Sequence, residues 1–358
     1  MSAWSPNEPF NGLPALADSI EIDIASLSSA LIEARVQLAR LDELTKALPN
    51  PMVLVNAIAI VEAQASSAIE NIVTTNDTLF QNFEASGSIA DADTRAAMRN
   101  RSALQMAYQL TIDRPITTKL AQIICSEILG FDVSVRANVG TYIGSLGKRT
   151  YTPPEGKALI ARKLEEWQDF VNQKSRFDPL IVMALAHYQF EAIHPFPDGN
   201  GRTGRILNIA MLMQNQLLSL PVVHLSRAIN ERKSEYYEKL ADVTSDRNWN
   251  EWIRFMLEVV ASSAIKASTQ ISQISRMQLE LAGSHIDTVF KRGIPTDLAA
   301  VLFEKPYCRI GHVVEACNVS RPTAAKWLEE LEILGVVESV KVGREKYFVN
   351  RKMLEVLG

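Results

Sequence analysis

A short segment near the middle of the chain combines residue types that suit the binding of a phosphorylated ligand. Residues 194–205 have the sequence His-Pro-Phe-Pro-Asp-Gly-Asn-Gly-Arg-Thr-Gly-Arg. Apolar residues follow at helical spacing over residues 206–217. The segment is therefore predicted to open a helix, where the first backbone N–H groups point outward and favour bound anions.

The glycines and arginines of this segment have distinct chemical uses. Gly199 and Gly201 lack a Cβ atom, so a phosphate can approach the backbone closely there. Asn200 between them can donate from its side-chain amide. Arg202 and Arg205 are three residues apart, so on a helix they share one face. Two guanidinium groups on one face suit the oxygens of a polyphosphate.

The first residues of the segment suit metal binding and proton transfer. Asp198 is a hard oxygen ligand suited to a Mg²⁺ ion that bridges phosphates. His194 titrates near neutrality and can accept a proton from an attacking hydroxyl. Phe196 is apolar and is expected to anchor the loop in the core. A tight turn without function is the structural alternative, but arginines in a first helical turn are unfavourable unless an anion offsets them.

The segment resembles the signature of the Fic family, H-x-F-x-[D/E]-G-N-G-R-x-x-R, at every specified position. The resemblance implies a mostly helical fold that transfers the AMP part of ATP to a protein hydroxyl, with His194 as general base and Asp198 as the Mg²⁺ ligand. The nucleotide-binding residues that it implies here are His194, Gly199, Asn200, Gly201, Arg202, Thr203, Gly204 and Arg205. An acidic residue at position 198 favours AMP transfer over the phosphotransferase branch, the Doc toxins.

A second resemblance lies far upstream. Residues 66–71, Ser-Ser-Ala-Ile-Glu-Asn, resemble the inhibitory motif [S/T]-x-x-x-E-[G/N] of Fic proteins that restrain themselves. In that group the glutamate, here Glu70, pairs with the second signature arginine, here Arg205, and blocks the seat of the γ-phosphate. Ser66 and Asn71 complete the motif, and Glu70 would also line the nucleotide site. A carboxylate can compete for a guanidinium group that a phosphate needs.

Residues 139–154 are predicted to form a short β-hairpin. Residues 139–143 and 151–152 flank a glycine-containing turn over 144–147, and Pro153-Pro154 ends the pattern. The resemblance implies a flap that docks a target protein by strand addition, and an ordinary surface hairpin is the alternative.

A pair of tyrosines follows the signature on a helical pattern, at Tyr236 and Tyr237. The resemblance implies that one of them lines the nucleotide site, and Tyr237 is the preferred candidate. Core packing is the usual role of paired aromatic residues at this spacing.

Composition limits the class of protein. The 358 residues are 47% hydrophobic and 22% charged, with a net charge of −4, so no broad electrostatic surface for nucleic acid or membrane is expected. Three scattered cysteines, Cys125, Cys308 and Cys317, indicate a reducing compartment without a disulfide framework or zinc site. No apolar signal core is found near the start, and the longest apolar runs contain polar residues, so a cytoplasmic protein is expected.

The predicted fold class is mainly α: a Fic helical core with a short β-hairpin flap, plus a C-terminal winged helix-turn-helix. Helical patterns cover about 22–48, ending at Pro49-Asn50-Pro51, and then 52–72, 90–111, 117–129, 157–173 and 179–193. Four regions follow from these patterns and the resemblance. They are an N-terminal helical region with the inhibitory motif (1–112), a Fic catalytic domain (113–267), a connecting helix (268–296) and a winged-helix-like domain (297–358), with a composition shift at 292–295.

The last region resembles a winged helix-turn-helix. Short helices are predicted over 311–317 and 322–334, and two strands flank Gly343-Arg344. Polar residues at the start of the second helix suit base contacts: Ser320, Arg321, Thr323 and Lys326. Eight Lys/Arg and seven Asp/Glu in residues 306–358 leave a net charge of only +1. DNA binding is therefore not favoured over protein interaction or dimerisation.

Three functions remain open at this point. The first is a self-restrained protein adenylyltransferase that uses ATP and a target Tyr, Ser or Thr hydroxyl, with removal of AMP as a related reaction in which Glu70 positions a water. The second is a nucleotide-sensing DNA-binding regulator, and the third is a phosphotransferase of the Doc type. A homodimer is also expected as an option, because family members often pair through the Fic core.

Overall fold

The computed structural model describes residues 4–17, 20–48, 50–84, 90–112, 114–145, 148–283, 289–290, 293–342 and 345–358. Helices dominate this part of the chain, and the strands are short, which confirms the predicted mainly α fold. Predicted features at Pro49, Gly147, Arg292, Gly343 and Arg344 lie outside the described residues.

Five helices come first along the chain: α1 (Ile24–Lys46), α2 (Met52–Ile69), α3 (Asn76–Glu84), α4 (Ala92–Thr111) and α5 (Thr118–Leu129). Side-chain caps begin three of them, because Asp23, Asp91 and Thr117 each accept a backbone N–H from the first helical turn. The sequence analysis missed α3, which is only nine residues long and buries Leu79 and Phe80.

The helix that carries the inhibitory motif ends two to three residues earlier than predicted. Glu70 is the C-cap of α2, and Asn71 has a left-handed backbone with φ of 61°. This reversal turns the chain away from the helix axis and leaves Glu70 at the helix end.

Six helices form the centre of the molecule: α6 (Lys157–Asn172), α7 (Pro179–Ile193), α8 (Asn200–Gln214), α9 (Leu225–Glu231), α10 (Lys233–Asp246) and α11 (Trp249–Gly283). α7 is apolar on nearly every face and packs against α6, α8 and α11. Two indole N–H groups fix its position, since Trp167 donates to the Ala186 carbonyl at 2.9 Å and Trp252 to the Ala184 carbonyl at 2.7 Å. α7 therefore provides a rigid base for the residue that follows it, His194.

The hairpin forms, but its first strand begins later than predicted. β1 (Ile143–Ser145) pairs antiparallel with β2 (Lys148–Tyr151). The predicted strand at 139–143 was wrong because Gly140 has a φ of +81°, and its N–H donates to the Glu155 carboxylate at 2.6 Å instead of joining a ladder. The Tyr151 hydroxyl donates to the Ala192 carbonyl at 2.8 Å and fastens the hairpin to the end of α7.

The helix α11 crosses the predicted boundary between residues 267 and 268 without a break. Ala264, Ala267, Ile271 and Ile274 are all buried, so the apolar face continues past that boundary. Residues 268–283 of the predicted connecting segment are therefore the last part of a helix that begins in the centre of the molecule.

A C-terminal module follows, defined here as residues 293–342 and 345–358. Its elements are α12 (Thr296–Glu304), β3 (Tyr307–Cys308), α13 (Ile310–Cys317), α14 (Arg321–Ile333), β4 (Glu338–Val342), β5 (Glu345–Val349) and α15 (Arg351–Leu357). The strands form an antiparallel sheet in the order β3-β5-β4. α13, α14 and the two longer strands lie where the sequence indicated, whereas α12, β3 and α15 were missed. The winged-helix assignment stays a prediction.

Two apolar clusters hold the chain together. The larger one extends through the N-terminal and central helices. The smaller one belongs to the C-terminal module and includes Leu298, Leu302, Leu328 and Leu331. Among the described helices, none is both long enough and apolar enough to cross a membrane.

Truncation of a buried leucine in the smaller cluster tests whether the module has its own core. Leu328 has no exposed side-chain surface, so Leu328→Ala is expected to reduce the free energy of unfolding of the module by about 2–5 kcal/mol. The measurement is urea denaturation combined with hydrogen exchange of the α14 amides. Leu279→Ala is the matched control, because Leu279 is 73% exposed and its truncation leaves no cavity. Equal small effects of both variants would contradict the described packing.

Candidate active site

The imidazole of the site lies at the junction of α7 with the loop that leads to α8. His194 is the C-cap of α7, with a left-handed φ of 48°, and its N–H donates to the Phe190 carbonyl at 3.0 Å. A positive φ is uncommon for a residue with a Cβ atom. This left-handed conformation ends α7 and reverses the chain direction, and the loop of residues 195–199 then leads into α8.

A buried arginine that the sequence analysis did not identify supports this bend. Arg136 donates from Nε to the His194 carbonyl at 2.7 Å and from Nη2 to the Pro154 carbonyl at 2.6 Å. Its own N–H donates to the Pro195 carbonyl at 2.9 Å. Arg136 therefore joins the loop to the end of the hairpin, and its charge lies close to the imidazole. Nothing in the local sequence distinguishes it from a surface arginine.

Phe196 and Asn200 hold the loop closed. Phe196 is fully buried, as predicted, and packs against Phe190 with ring centroids 6.2 Å apart. The Asn200 side chain accepts from the Phe196 N–H and donates to the Phe196 carbonyl, both at 2.8 Å. The oxygen and one N–H of this amide therefore brace the loop, and donation to an anion from its other N–H stays a prediction.

The N-terminus of α8 offers unpaired backbone donors. Its first internal hydrogen bond runs from the Thr203 N–H to the Gly199 carbonyl at 3.0 Å, so the N–H groups of residues 200–202 precede the helical ladder. Gly199 has a φ of +77°, which permits this turn. The Cys125 thiol of α5 donates to the Asp198 carbonyl at 3.3 Å.

The structure assigns packing roles to two residues that were predicted to bind nucleotide. Thr203 is fully buried, and its hydroxyl lies beside the Cys125 thiol. A Cβ atom on Gly204 would lie 2.6 Å from Oε1 of Glu191 and 3.3 Å from Nδ1 of His187. Gly204 is thus needed for the close approach of α8 to α7.

The two signature arginines have different environments. Arg202 is buried, and its guanidinium group lies 3.6 Å from the exposed Asp198 carboxylate. Arg205 is almost fully buried and is held by α2: its Nε donates to the Ser66 hydroxyl at 3.0 Å and its Nη2 donates to the Ser66 carbonyl at 2.9 Å. Residues 139 positions apart in sequence therefore meet in one polar cluster.

Glu70 completes the surroundings of Arg205. Its Oε1 accepts from Arg205 Nη2 at 2.9 Å, and it lies so close to Gly201 that a Cβ atom there would collide with it. Burial alone would raise the pKa of Glu70, but the charge and hydrogen bond of Arg205, together with the charge of Arg202, bring it below its ordinary value. A carboxylate therefore lies at the helix N-terminus where an anion is favoured. Asn71, next in the motif, accepts a hydrogen bond from Lys233 at 3.1 Å.

The environment of His194 keeps its imidazole neutral. Burial and the nearby Arg136 charge lower its pKa from 6.5 to about 4, although Glu70 and Asp198 act in the opposite direction. Nδ1 is buried, and the backbone of Glu191 is a hydrogen-bond partner of the ring. A neutral imidazole keeps one ring nitrogen that can act as a proton acceptor at pH 7.

Glu191 is a second buried acid that the sequence analysis missed. It lies one helical turn before His194, and its Oε1 is buried without a hydrogen-bond partner in the described parts of the chain. Burial raises its pKa to about 7, against the charge of Arg205. The spacing of three residues from His194 on one helix was a signal that could have identified it.

The two tyrosines separate into a core residue and a surface residue. Tyr236 is buried, and its hydroxyl shares a 2.8 Å hydrogen bond with His187 Nε2. Tyr237 is 42% exposed, and the charges of Glu70 and Arg205 act on its hydroxyl. Of the pair, Tyr237 is thus the one that lies at the opening of the site.

Asp198 suits a metal ion that arrives with a ligand. Its side chain is 75% exposed, and one oxygen accepts from the Gly199 N–H at 2.6 Å. The described residues contain no group of three or more His, Cys, Asp or Glu side chains that could form a complete cage. Mg²⁺ is often held by one or two carboxylates together with substrate phosphates, and this single exposed carboxylate fits that pattern.

Comparisons with known proteins match regions on both sides of the loop. The model of the Fic/DOC family N-terminal region matches residues 28–109, and the model of the C-terminal domain of SoFic-like protein adenylyltransferases matches residues 284–353. Protein adenylyltransferase Fic of Drosophila grimshawi is 30% identical over 163 residues, which cover 43% of this chain and 31% of the relative. Protein adenylyltransferase fic-1 of Caenorhabditis briggsae is 35% identical over 99 residues, which cover 26% of this chain and 17% of the relative. The chain thus spans less than a third of the length of these relatives.

Solved structures share the fold over a larger part of the chain. A Fic family protein from Desulfovibrio desulfuricans G20 superposes with a TM-score of 0.59 at 19% identity, covering 92% of this chain and 97% of that one. A fragment of Fic-1 from Caenorhabditis elegans gives a TM-score of 0.55 at 20% identity, and the match covers 71% of this chain and 75% of that fragment. The two family matches and the sequence relatives show that this chain is similar to Fic proteins, and the solved structures show that it shares their fold.

Proposed function

We propose that this protein is an adenylyltransferase that moves AMP from ATP to a hydroxyl group of a target protein or of itself. The observation that carries the proposal is the juxtaposition of the neutral His194 imidazole, at the end of α7, with the anion-favouring N-terminus of α8. Support also comes from the names of the sequence relatives, which are protein adenylyltransferases.

The triphosphate is proposed to bind along the start of α8. The backbone N–H groups of residues 200–202 and the Arg202 guanidinium group are donors for the α- and β-phosphates. Arg205 binds the γ-phosphate once Glu70 has left, and Tyr237 contacts the nucleoside from the opening of the site. Asp198 would hold a Mg²⁺ ion, which neutralises phosphate charge when it is bound.

His194 is proposed to activate the target hydroxyl. The imidazole accepts the hydroxyl proton while the oxygen forms a bond to the α-phosphorus. The bond from the α-phosphorus to the bridging oxygen of the β-phosphate breaks, and pyrophosphate leaves. Arg136 serves this step indirectly, because its hydrogen bond to the His194 carbonyl fixes the residue and its charge adds to burial in lowering the pKa of the imidazole. Catalysis of this kind depends mainly on positioning and on charge stabilisation.

Glu70 is proposed to restrain the reaction in the resting protein. Its carboxylate pairs with Arg205 and lies against Gly201, so it competes with the γ-phosphate for the same guanidinium group and with the phosphates for the same helix end.

The target is proposed to add a strand to the hairpin of β1 and β2, whose two-stranded sheet has open edges.

Removal of the Glu70 carboxylate is expected to release the restraint. A hydrogen bond to a charged group contributes about 1.5–3 kcal/mol, so Glu70→Gly is expected to raise self-labelling from α-labelled ATP by roughly 10- to 100-fold. Glu43→Gly is the matched control, because Glu43 is an exposed glutamate on α1 far from the site. An unchanged labelling rate in Glu70→Gly would remove the inhibitory role of this residue.

Loss of the imidazole is expected to stop the reaction without loss of nucleotide binding. In the Glu70→Gly background, His194→Ala is expected to lower labelling by about 10²–10⁴-fold, which is the usual contribution of a general base. Binding of ATP, measured by calorimetry, is expected to persist because the phosphate donors are unchanged. Labelling at the parental rate would show that another group accepts the proton.

The neutral state of His194 can be measured directly by NMR titration of its imidazole nitrogens. Because the pKa is lowered to about 4, the neutral form is expected to persist as the pH falls from 8 to 5. The charge of Glu70 raises this pKa, so Glu70→Gln is expected to move the midpoint further toward acid. A midpoint near 6.5 in the resting protein, or a shift in the other direction, would contradict the described environment.

A further inference from the structure

The C-terminal module is packed into the same core as the inhibitory helix. Four of its large side chains are almost fully buried and belong to the larger apolar cluster rather than to the cluster of the module itself: Tyr307, Tyr347, Met353 and Leu357. α12 and α15 contact α2 directly, and β3 contacts α3. A displacement of the module would therefore disturb the helices that carry Glu70.

Polar contacts fasten the module to α3, which follows α2 after a short connection. The Arg351 guanidinium group lies 3.2 Å from both carboxylate oxygens of Asp77. The Gln81 amide donates to the Tyr307 hydroxyl at 3.1 Å. Arg351 also donates to Glu338 of the module itself at 3.0 Å. The same arginine thus pairs with one carboxylate across the junction and with another inside the module.

A second, buried connection begins at the backbone of α15. The Gln270 amide N–H group donates to the carbonyls of Val356 at 2.9 Å and Leu357 at 3.1 Å. Its Oε1 lies 2.6 Å from Nε2 of the fully buried His224. Since an amide oxygen only accepts, His224 donates from Nε2 to it. Gln270 on α11 thereby joins α15 to the residue that begins α9.

The connection continues from the start of α9 to α2. Two residues after His224, Ser226 donates its N–H to Glu62 at 2.9 Å, and its hydroxyl donates to the same carboxylate. Glu62 is buried and lies on α2 at a spacing of four residues from Ser66, which in turn is four residues from Glu70. Residues at this spacing share one helix face. The face of α2 that binds Arg205 is thus the same face that accepts hydrogen bonds from the start of α9.

We propose that the C-terminal module is part of the restraint, because its contacts position α2 so that Glu70 stays at Arg205. One set of contacts runs from α15 through Gln270, His224, Ser226 and Glu62. The other is the Asp77–Arg351 pair. Gln270, Glu62 and Asp77 are positioning residues that act through Glu70. The inference rests on the proposed function only for the role of Glu70. Its consequence is that a ligand or partner that shifts the module loosens the restraint.

The test compares self-labelling from α-labelled ATP in two backgrounds of the full chain. Gln270→Leu removes both bonds to α15 and the bond to His224 with little change of volume. Asp77→Asn removes the charge of the junction pair, and Glu338→Gln is the matched control because it removes the bond of Arg351 inside the module. With Glu70 present, labelling is expected to rise several-fold in Gln270→Leu, about two-fold in Asp77→Asn and not at all in Glu338→Gln.

In the Glu70→Gly background all three substitutions are expected to leave labelling unchanged, because the group through which they act is gone. Equal increases in both backgrounds, or no increase in either, would overturn the proposal. Asp77→Asn, at a half-exposed pair, keeps the test valid if Gln270→Leu does not fold.

Hydrogen exchange of the α2 amides is a readout that does not depend on the enzyme activity. Exchange over residues 62–70 is expected to quicken in Gln270→Leu and to stay unchanged in Glu338→Gln. If Glu70→Gly shows no labelling, the proposed function fails, and exchange alone then decides the inference. Unchanged exchange in Gln270→Leu would overturn it.

Discussion

The buried guanidinium group of Arg205 is the constraint on which the rest of the structure depends. It lies on α8, in the centre of the molecule, yet its described hydrogen-bond partners belong to α2: the side chain and backbone of Ser66 and the carboxylate of Glu70. A buried charge without a counter-ion is costly. Arg205 therefore requires an anion, and in this structure the carboxylate of Glu70 provides it.

Three carboxylates interact with this guanidinium group, and their ionisation differs. Glu70 makes the direct ion pair and its pKa is lowered, whereas burial raises the pKa values of Glu62 and Glu191 to about 7. Close to neutral pH, Glu70 is thus the one whose charge is fully present. In the proposed function, a triphosphate that replaces Glu70 brings the negative charge that Arg205 loses, so the proposed restraint and substrate binding depend on the same guanidinium group.

Local patterns in the sequence predicted the elements that present the site. Asp178 and Pro179 begin α7, the apolar periodicity carries it to residue 193, and the glycines mark the turn into α8. The burial of Phe196 followed from its apolar side chain. Interactions within a few residues determine all of these features, so the sequence alone was sufficient.

The features that the sequence did not predict depend on distant partners. Arg136 acts on a loop 58 residues away, and Glu62 on a serine 164 residues away. The hydrogen bonds of the Asn200 amide to Phe196 were not predicted. The start of β1 was displaced because Gly140 bonds to Glu155. In each case the side-chain type was compatible with several roles, and only tertiary packing selected one.

The most direct measurement is a crystal structure of the Glu70→Gly protein with ATP and Mg²⁺. The prediction is a triphosphate along the start of α8, with the γ-phosphate bound to Arg205 in the space that Glu70 vacates and the His194 imidazole facing the α-phosphate. A triphosphate bound elsewhere, or an imidazole directed away from the α-phosphate, would contradict the central claim.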